Sequence, residues 1–310
     1  MTILVCGEAL YDVFFEGERA EGFTLDARIG GSAFNVAMGL GRLGQKVGLL
    51  TGVSTDRLGE KLATTLGAEG VDTGYLSRKD ATTTLAMVSL AADGSASYQF
   101  YGQGAADRMV TEADLPDVGP LSTAVFGCFS LLTQPTGDSF LTFARRVAEA
   151  GRLVVLDPNI RISVVSDPAV WRDRVAAFAS KAALVKVSEE DIGHLYPGEG
   201  LQDAARRWLD AGAAAVVVTR GADGVMMVRR DGTVEIPAEK VDVVDTVGAG
   251  DSFLAAILTQ LTETGLATRD GLATMSDEAA RAALGFAARA AAITCSRRGA
   301  DLPRRSELPA

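Results

Sequence analysis

Histidine occurs once in 310 residues, as His194, and cysteine three times. Chemistry built on imidazole pairs or Cys/His metal knuckles therefore has almost nothing to draw on. Cys6, Cys128 and Cys295 lie far apart in apolar contexts, an odd and scattered set that makes neither a disulfide framework nor a zinc site. A reducing, cytoplasmic setting is expected. The sequence lacks a run of eighteen apolar residues, which argues against a membrane span. Its opening, MTILVCGEALYDVFF, has no basic segment and carries Glu8 and Asp12 early, unlike a secretory signal. Positive charge is also short: the formal net charge of -10 argues against a nucleic-acid partner, whose binding rests on phosphate neutralisation. A local pocket for a small phosphate compound is still allowed.

What is present reads as an ordinary globular protein, with 47% hydrophobic and 23% charged residues. The length suits one large α/β domain with a small insertion. Short apolar runs alternate with helical stretches: ILVCG, KVGLLTGV, TAVFGCF, RLVVLDPN, ALVKVS and AAVVVTRG read as strands. Near-continuous apolar strands of this kind are buried on both faces, as in a parallel sheet covered by helices. Helices are expected over 32–43, 56–69, 137–150, 170–181 and 202–211, most of them stopped by glycine. Residues 11–29 and 71–107 break the rhythm, with TLAMVSLA and SASYQFY flanking the turn signal Asp93-Gly94. They are expected to form a small β-sheet lid over the carboxyl ends of the main strands, where open α/β sheets bind ligands. The core would then be 1–10, 30–70 and 108–310, with a second hairpin around RRDGTVEI and a mostly helical, alanine-rich end.

The best formal motif match misleads. GLGRLG at 39–44 fits G-x-G-x-x-G, but it closes a helical pattern instead of following a strand and opening a helix. A dinucleotide site needs the second arrangement, because the pyrophosphate sits on the helix amino terminus. Close helix packing, with Gly44 as a stop, is the reading that fits. DTVGAGDSF at 245–253 has the context that GLGRLG lacks, with VDVV before it and FLAAILTQL after it. Gly248, Ala249 and Gly250 would present N–H groups at a helix start, an anion cradle with no side chain in the way. Asp251 beside it could merely cap the helix or complement its dipole, worth roughly 0.3–1 kcal/mol. Capping leaves the two glycines unexplained, and no lysine follows to make a Walker A loop. An anion cradle beside a carboxylate suits phosphoryl transfer to an alcohol, the carboxylate taking the hydroxyl proton. His194, in a helical surface stretch, reads as structural.

RIGGSAFNVAMGLGRLG, 28–44, is the second informative stretch. Gly30 and Gly31 precede a helix that Ser32 could cap, with Asn35 on its first turn. Two accounts stand: a tight turn with Asn35 exposed, or glycine backbone and an Asn35 amide reaching a sugar's hydroxyls.

Together, GGSAFNVAMGLGRLG and DTVGAGDSF resemble the two signatures of the PfkB, or ribokinase-like, family of carbohydrate kinases, in the same order and over essentially the whole chain. The resemblance implies a three-layer α/β/α core with a mostly parallel sheet and a β-sheet lid. It also implies ATP-dependent phosphorylation of a sugar's primary hydroxyl. Asp251 matches the family's base, and Gly248, Ala249 and Gly250 its anion hole. Asp12 in GEALYDVF matches the aspartate that binds sugar hydroxyls, helped by Gly30, Gly31 and Asn35, with Phe100 or Tyr101 covering one sugar face. LDPNIR looks like the D-x-N-x-R segment of fructokinases and 2-keto-3-deoxygluconate kinases, which sets Asp157, Asn159 and Arg161 along the site, Arg161 near substrate or γ-phosphate. Lys186 and SEEDI match a phosphate and Mg²⁺ segment where relatives carry N-x-x-E; this chain has Ser188 and Asp191 instead. VVTRGADG puts Thr219, Gly221 and Gly224 near ATP. Relatives often bind K⁺ beside the anion hole, which would fall here to Asp245 and the carbonyls of Val247, Thr294, Arg297 and Gly299.

The resemblance makes fructose the expected sugar, since GEALYDVF, LDPNIR and YQFYGQGAADR together look most like fructokinases; 2-keto-3-deoxygluconate comes next, then ribose or a nucleoside. A sugar- or nucleotide-binding protein without turnover, or an NAD-dependent oxidoreductase, are the readings from other classes. Partners are then a small sugar and ATP, with a homodimer through the lid carried over from the resemblance.

Overall fold

The computed structural model describes residues 1–90 and 96–309; the Asp93-Gly94 turn signal lies outside the described residues. The chain opens with β1 (Thr2–Cys6), leaves the core as the hairpin β2 (Leu10–Arg19) and β3 (Gly22–Gly30), and returns as α1 (Ser32–Arg42) and β4 (Val47–Ser54). Helix α2 (Arg57–Ala68) and the short β5 (Val71–Asp72) and β6 (Leu76–Lys79) precede a second excursion, β7 (Leu85–Leu90) and β8 (Ala96–Tyr101). Alternation is then regular through β9 (Leu121–Gly127), α3 (Thr136–Glu149), β10 (Leu153–Asp157), α4 (Pro168–Ala179), β11 (Leu184–Ser188), α5 (Glu189–Leu195), α6 (Leu201–Asp210) and β12 (Ala215–Thr219). The hairpin β13 (Val225–Arg229) and β14 (Gly232–Ile236) leads to α7 (Ala249–Glu263), α8 (Arg269–Thr274) and α9 (Asp277–Cys295).

The main sheet runs β14-β13-β12-β11-β10-β9-β1-β4-β5, with β6 also on β4. Its pairings are parallel except those of β13 with β12 and β14. Because side chains alternate across a strand, each apolar run feeds two cores. Ile3, Val5, Val125 and Val217 pack under α1, α2, α7, α8 and α9, while Leu4, Cys6, Phe126 and Val218 pack under α3, α4, α5 and α6. Burying each large side chain is worth roughly 1.5–3 kcal/mol, so strand ends project from a stiff base.

The lid is the sheet β3-β2-β7-β8. It is smaller than 11–29 plus 71–107, since β5 and β6, expected in it, pair in parallel with β4 at the core edge. Two residues of β5 and four of β6 are too short for periodicity to assign them to a sheet. The segment after β8 also returns to the core: a Cβ on Gly52 would lie 1.8 Å from the Ala106 carbonyl oxygen. GLGRLG ends α1, where Cβ atoms on Gly39 and Gly41 would collide with Leu302 and the Glu69 carbonyl, and Gly44 has φ +82°. No helix among the described residues is long and apolar enough to cross a membrane.

Candidate active site

Loops leaving the carboxyl ends of β1, β9, β10, β11 and β12 line one cleft of about 1170 Å³, closed on one side by the lid and on another by the start of α7. Ligands of open α/β sheets bind at this edge, where parallel strands all end on the same side.

Asp251 lies buried in the first turn of α7, whose amino terminus is entered through Gly248 in the left-handed region. A Cβ on Gly248 would stand 2.7 Å from that of Ala300, so glycine is required there by conformation and by space. The Ala249 amide donates to the Thr246 carbonyl at 3.2 Å, which narrows the expected cradle. The first-turn amides of Gly250 and Asp251 have no intrahelical acceptor and are the donors left for an anion. A Cβ on Gly250 would sit 3.1 Å from Lys186 Nζ, so that ammonium stands directly against the bare backbone. Lys186 Nζ donates to Asp157 Oδ2 at 2.8 Å, and both side chains are buried. Burial opposes the lysine's charge, but Asp157, with Asp191 and Asp251, outweighs it and raises the Lys186 pKa. Burial pushes the Asp157 carboxyl up to about 6 in spite of Lys186.

Both oxygens of Asp251 accept hydrogen bonds from α1: Ser32 Oγ donates to Oδ1 at 2.6 Å and Asn35 Nδ2 to Oδ2 at 2.9 Å. Ser32 is thus the first residue of α1 and not its cap; the cap position is Gly31, at φ +102° and without a side-chain bond. Asn35 is buried rather than exposed. Glu8 fills the capping role from outside, its Oε1 accepting from the Ser32 amide at 2.8 Å. Asn159 Nδ2 donates to Ser32 Oγ at 2.7 Å.

Asp12, on β2, lines the cleft, and burial, with Asp251 nearby and Arg161 opposing, lifts its carboxyl to about 6. Gly30 does not line the cleft. A Cβ there would fall 2.2 Å from Asp12 Oδ2, so its bareness makes room for that carboxylate. Arg161 also lines the cleft; burial works against its charge, while Asp191, Asp251 and Glu8 raise its pKa. Phe100 faces the cleft with Tyr98, two residues earlier on β8, and stacks edge-on against Phe129 at 5.4 Å. Tyr101 points to the other face and is 56% exposed, as strand alternation requires, so it does not line the cleft.

At the far end Thr219, Gly221 and Gly224 line the cleft beside Val225, Val243 and an α9 face of Ala288, Ala291, Ala292 and Cys295. Gly224 has a structural reason as well, since a Cβ would meet the Ile236 carbonyl oxygen at 2.2 Å. Ser188 and Asp191 form a reciprocal cap on α5: the Asp191 amide donates to Ser188 Oγ, and the Ser188 amide to Asp191 Oδ2. Asp191 Oδ1 accepts from the Ile160 amide at 2.8 Å, so each of its oxygens braces the backbone while the residue lines the cleft. His194 pairs with exposed Glu190 at 3.6 Å, away from Asp251's bonds. Asp245 accepts from the Val247 and Gly299 amides, while the Thr294 and Gly299 carbonyls accept from Arg297 and Asp301. Asp245 therefore ties the loop before α7 to the segment after α9. Of the residues expected at K⁺, Val247 lines the cleft.

Glu8, Ser32, Tyr98, Cys128 and Phe129 are lining residues that motif reading missed. Strand alternation back from Phe100 would have found Tyr98; for Glu8, Cys128 and Phe129 the signal is only that each follows the carboxyl end of a parallel strand.

Related proteins match the chain over most of its length. A fructokinase of Rhizobium leguminosarum bv. trifolii is 41% identical over 285 residues, 90% of this chain and 85% of that one. The crystal structure of fructokinase with bound ATP from Xylella fastidiosa superposes with a TM-score of 0.89 at 27% identity, covering 99% of this chain and 96% of the other. A Vibrio cholerae O395 fructokinase in a fructose-, ADP- and calcium-bound form gives 0.83 at 25%, over 96% and 94% of the two chains. The sheet order and the separate lid are those of a ribokinase-like fold. Since residues 2–307 also match the description "pfkB family carbohydrate kinase", the chain belongs to the pfkB family of carbohydrate kinases.

Proposed function

We propose that the protein transfers the γ-phosphoryl group of ATP to a primary hydroxyl of fructose, with Asp251 as base. The observation that carries this reading is the Asp251 carboxylate, fixed in the cleft one residue beyond a bare helix start. Fructose would lie among Asp12, Gly31, Asn35 and the Phe100–Phe129 wall, and the triphosphate would run from Thr219 and Gly221 to Gly250. As the sugar oxygen bonds to phosphorus and the bond to the bridging oxygen of ADP breaks, the hydroxyl proton passes to Asp251. The Gly250 and Asp251 amides and Lys186 stabilise charge on the phosphoryl oxygens. The lid keeps out water, the competing nucleophile.

No group of three or more His, Cys, Asp or Glu side chains suited to a metal occurs among the described residues. Magnesium fits such a site when it arrives on the triphosphate and keeps most of its waters. Glu190 and Asp191 are the carboxylates that line the cleft on this side, while Asp157, expected along the site, lies behind Lys186 and holds its ammonium. The ion would neutralise developing charge between the β- and γ-phosphates. K⁺ at Asp245 and Val247 is a further part of this reading.

At the sugar end Asp12 and Asp251 face Arg161 and Lys186, and the buried Glu8 carboxyl is raised to about 7. A neutral sugar suits that balance better than the anionic 2-keto-3-deoxygluconate. The outer lid face exposes Phe15, Phe23, Leu25 and Tyr101, an apolar patch that fits a homodimer joined through the lid. Three free cysteines suit the cytoplasm. The test is a substrate panel at fixed ATP, read as ADP formed, with fructose expected to give the highest kcat/KM. Turnover only on 2-keto-3-deoxygluconate, ribose or a nucleoside would replace fructose. ATP bound without ADP from any sugar would make the protein a binding module, and NAD bound in place of ATP would make it an oxidoreductase.

A further inference from the structure

We infer that Ser32 is a positioning residue for the base, holding the Asp251 carboxylate at the angle from which it takes the sugar proton, and that Asn159 acts on Asp251 only through Ser32. The direction of the hydrogen-bond chain follows from what each group can donate. An ionised carboxylate only accepts and an amide nitrogen only donates. The single Ser32 hydroxyl proton must then go to Asp251 Oδ1, at 2.6 Å, leaving the Ser32 lone pairs to accept Asn159 Nδ2 at 2.7 Å.

Ser32 is itself held at two points, because its amide donates to buried Glu8 Oε1 at 2.8 Å. Asn159 keeps a left-handed φ of +41°, a conformation uncommon outside glycine and best tolerated by asparagine and aspartate. That backbone turn is what aims its amide back at Ser32. The second Asp251 oxygen is held by Asn35, which also lines the cleft where a sugar would sit. Ser32 also lines the cleft, but its one proton is committed to Asp251 Oδ1, whereas the Asn35 amide has a second proton to offer a sugar hydroxyl. The geometry therefore divides the labour: Asn35 shared between sugar and base, the Ser32 proton devoted to the base.

The inference rests on the kinase reading, and steady-state kinetics with fructose and ATP separate the two. Ser32→Ala is expected to lower kcat roughly 10-fold, the scale of a misplaced catalytic group, with both KM values within about 2-fold. Ser32→Thr, which keeps the hydroxyl, should recover most of that loss. In the Ser32→Ala background, adding Asn159→Ala should cost less kcat than it does in the unsubstituted chain, because the relay is already cut. Unchanged kcat in Ser32→Ala, a Ser32→Thr variant no better than alanine, or fully additive losses would each overturn it. Should Ser32→Ala not fold, by circular dichroism, Ser32→Thr against Ser32→Gly carries the same comparison. An unsubstituted chain inactive on every sugar would end the kinase reading instead.

Discussion

The two ends of the cleft, the one proposed for the sugar and the one proposed for the nucleotide, are built from different materials. At the sugar end, buried and half-buried polar side chains hold one another: Asn159 to Ser32, Ser32 and Asn35 to Asp251, Glu8 to the Ser32 amide. At the nucleotide end, Thr219, Gly221, Gly224 and Val225 face the α9 surface of Ala288, Ala291 and Ala292. Small residues and main chain dominate there. A side-chain network is high-stakes, since one missing partner leaves a buried group unsatisfied, whereas a wall of backbone and alanine offers little for truncation to remove. Loss of function by shortening a side chain should therefore concentrate at the sugar end, and at the nucleotide end it should come from adding bulk.

The sharpest test of that contrast is Asp251→Asn, which keeps the shape and removes the base. It should retain fold and ATP binding while kcat falls at least roughly 10², the usual contribution of a positioned base. Near-normal turnover would remove Asp251 from the mechanism. The next test sets the ends against each other. Asp12→Ala should raise the sugar KM roughly 10-fold or more and leave the ATP KM nearly unchanged, since it deletes hydrogen bonds to hydroxyls. Ala291→Leu should do the reverse, its bulk narrowing the nucleotide slot while the sugar KM holds. If both substitutions moved both constants equally, the cleft would not divide as described.

The same contrast explains how far the sequence could be read. Paired signatures pointed to the loop before α7 and to Asp251, which the fold sets in the cleft, because glycines before a carboxylate carry a local conformational requirement, seen at Gly248 with φ +78°. Apolar runs located the parallel strands for a similarly local reason. Tertiary hydrogen bonds leave no such trace: Ser32 looks like a helix cap, and only folding brings it 2.6 Å from Asp251, 219 residues away. Asp191 shows the converse, a motif position whose oxygens are both taken by backbone amides. Tyr101 and Gly30 fell outside the cleft because strand alternation and the packing of Asp12 decide orientation, and a linear motif records neither. The alanine face of α9 reads as ordinary core in one dimension, since packing and ligand contact use the same small residues.

Side-chain networks at the sugar end should also carry a cost, and Glu8 is where it can be measured with the smallest perturbation. Burial, reinforced by Asp107, pushes its carboxyl from 4.5 up to about 7, although bonds to its own backbone, Cys128 and Ser32 pull the other way. A carboxyl raised in the folded state binds more protons there than in the unfolded chain. Its stabilising contribution is thus fully present below about pH 4.5 and is lost as pH rises through about 7. One pKa unit corresponds to about 1.4 kcal/mol, so the loss on going to pH 8 is at most about 3 kcal/mol. Glu8→Gln keeps an acceptor for the Ser32 amide but cannot ionise. Its Tm relative to the unsubstituted protein should become more favourable between pH 5 and pH 8, by a few degrees for a chain of this size. Asp12 and Asp157 titrate in both proteins and cancel in the difference. Parallel Tm curves across that range would mean that Glu8 stays charged in the fold at no cost, and that the sugar end is no more strained by its buried acids than the nucleotide end is by its alanines.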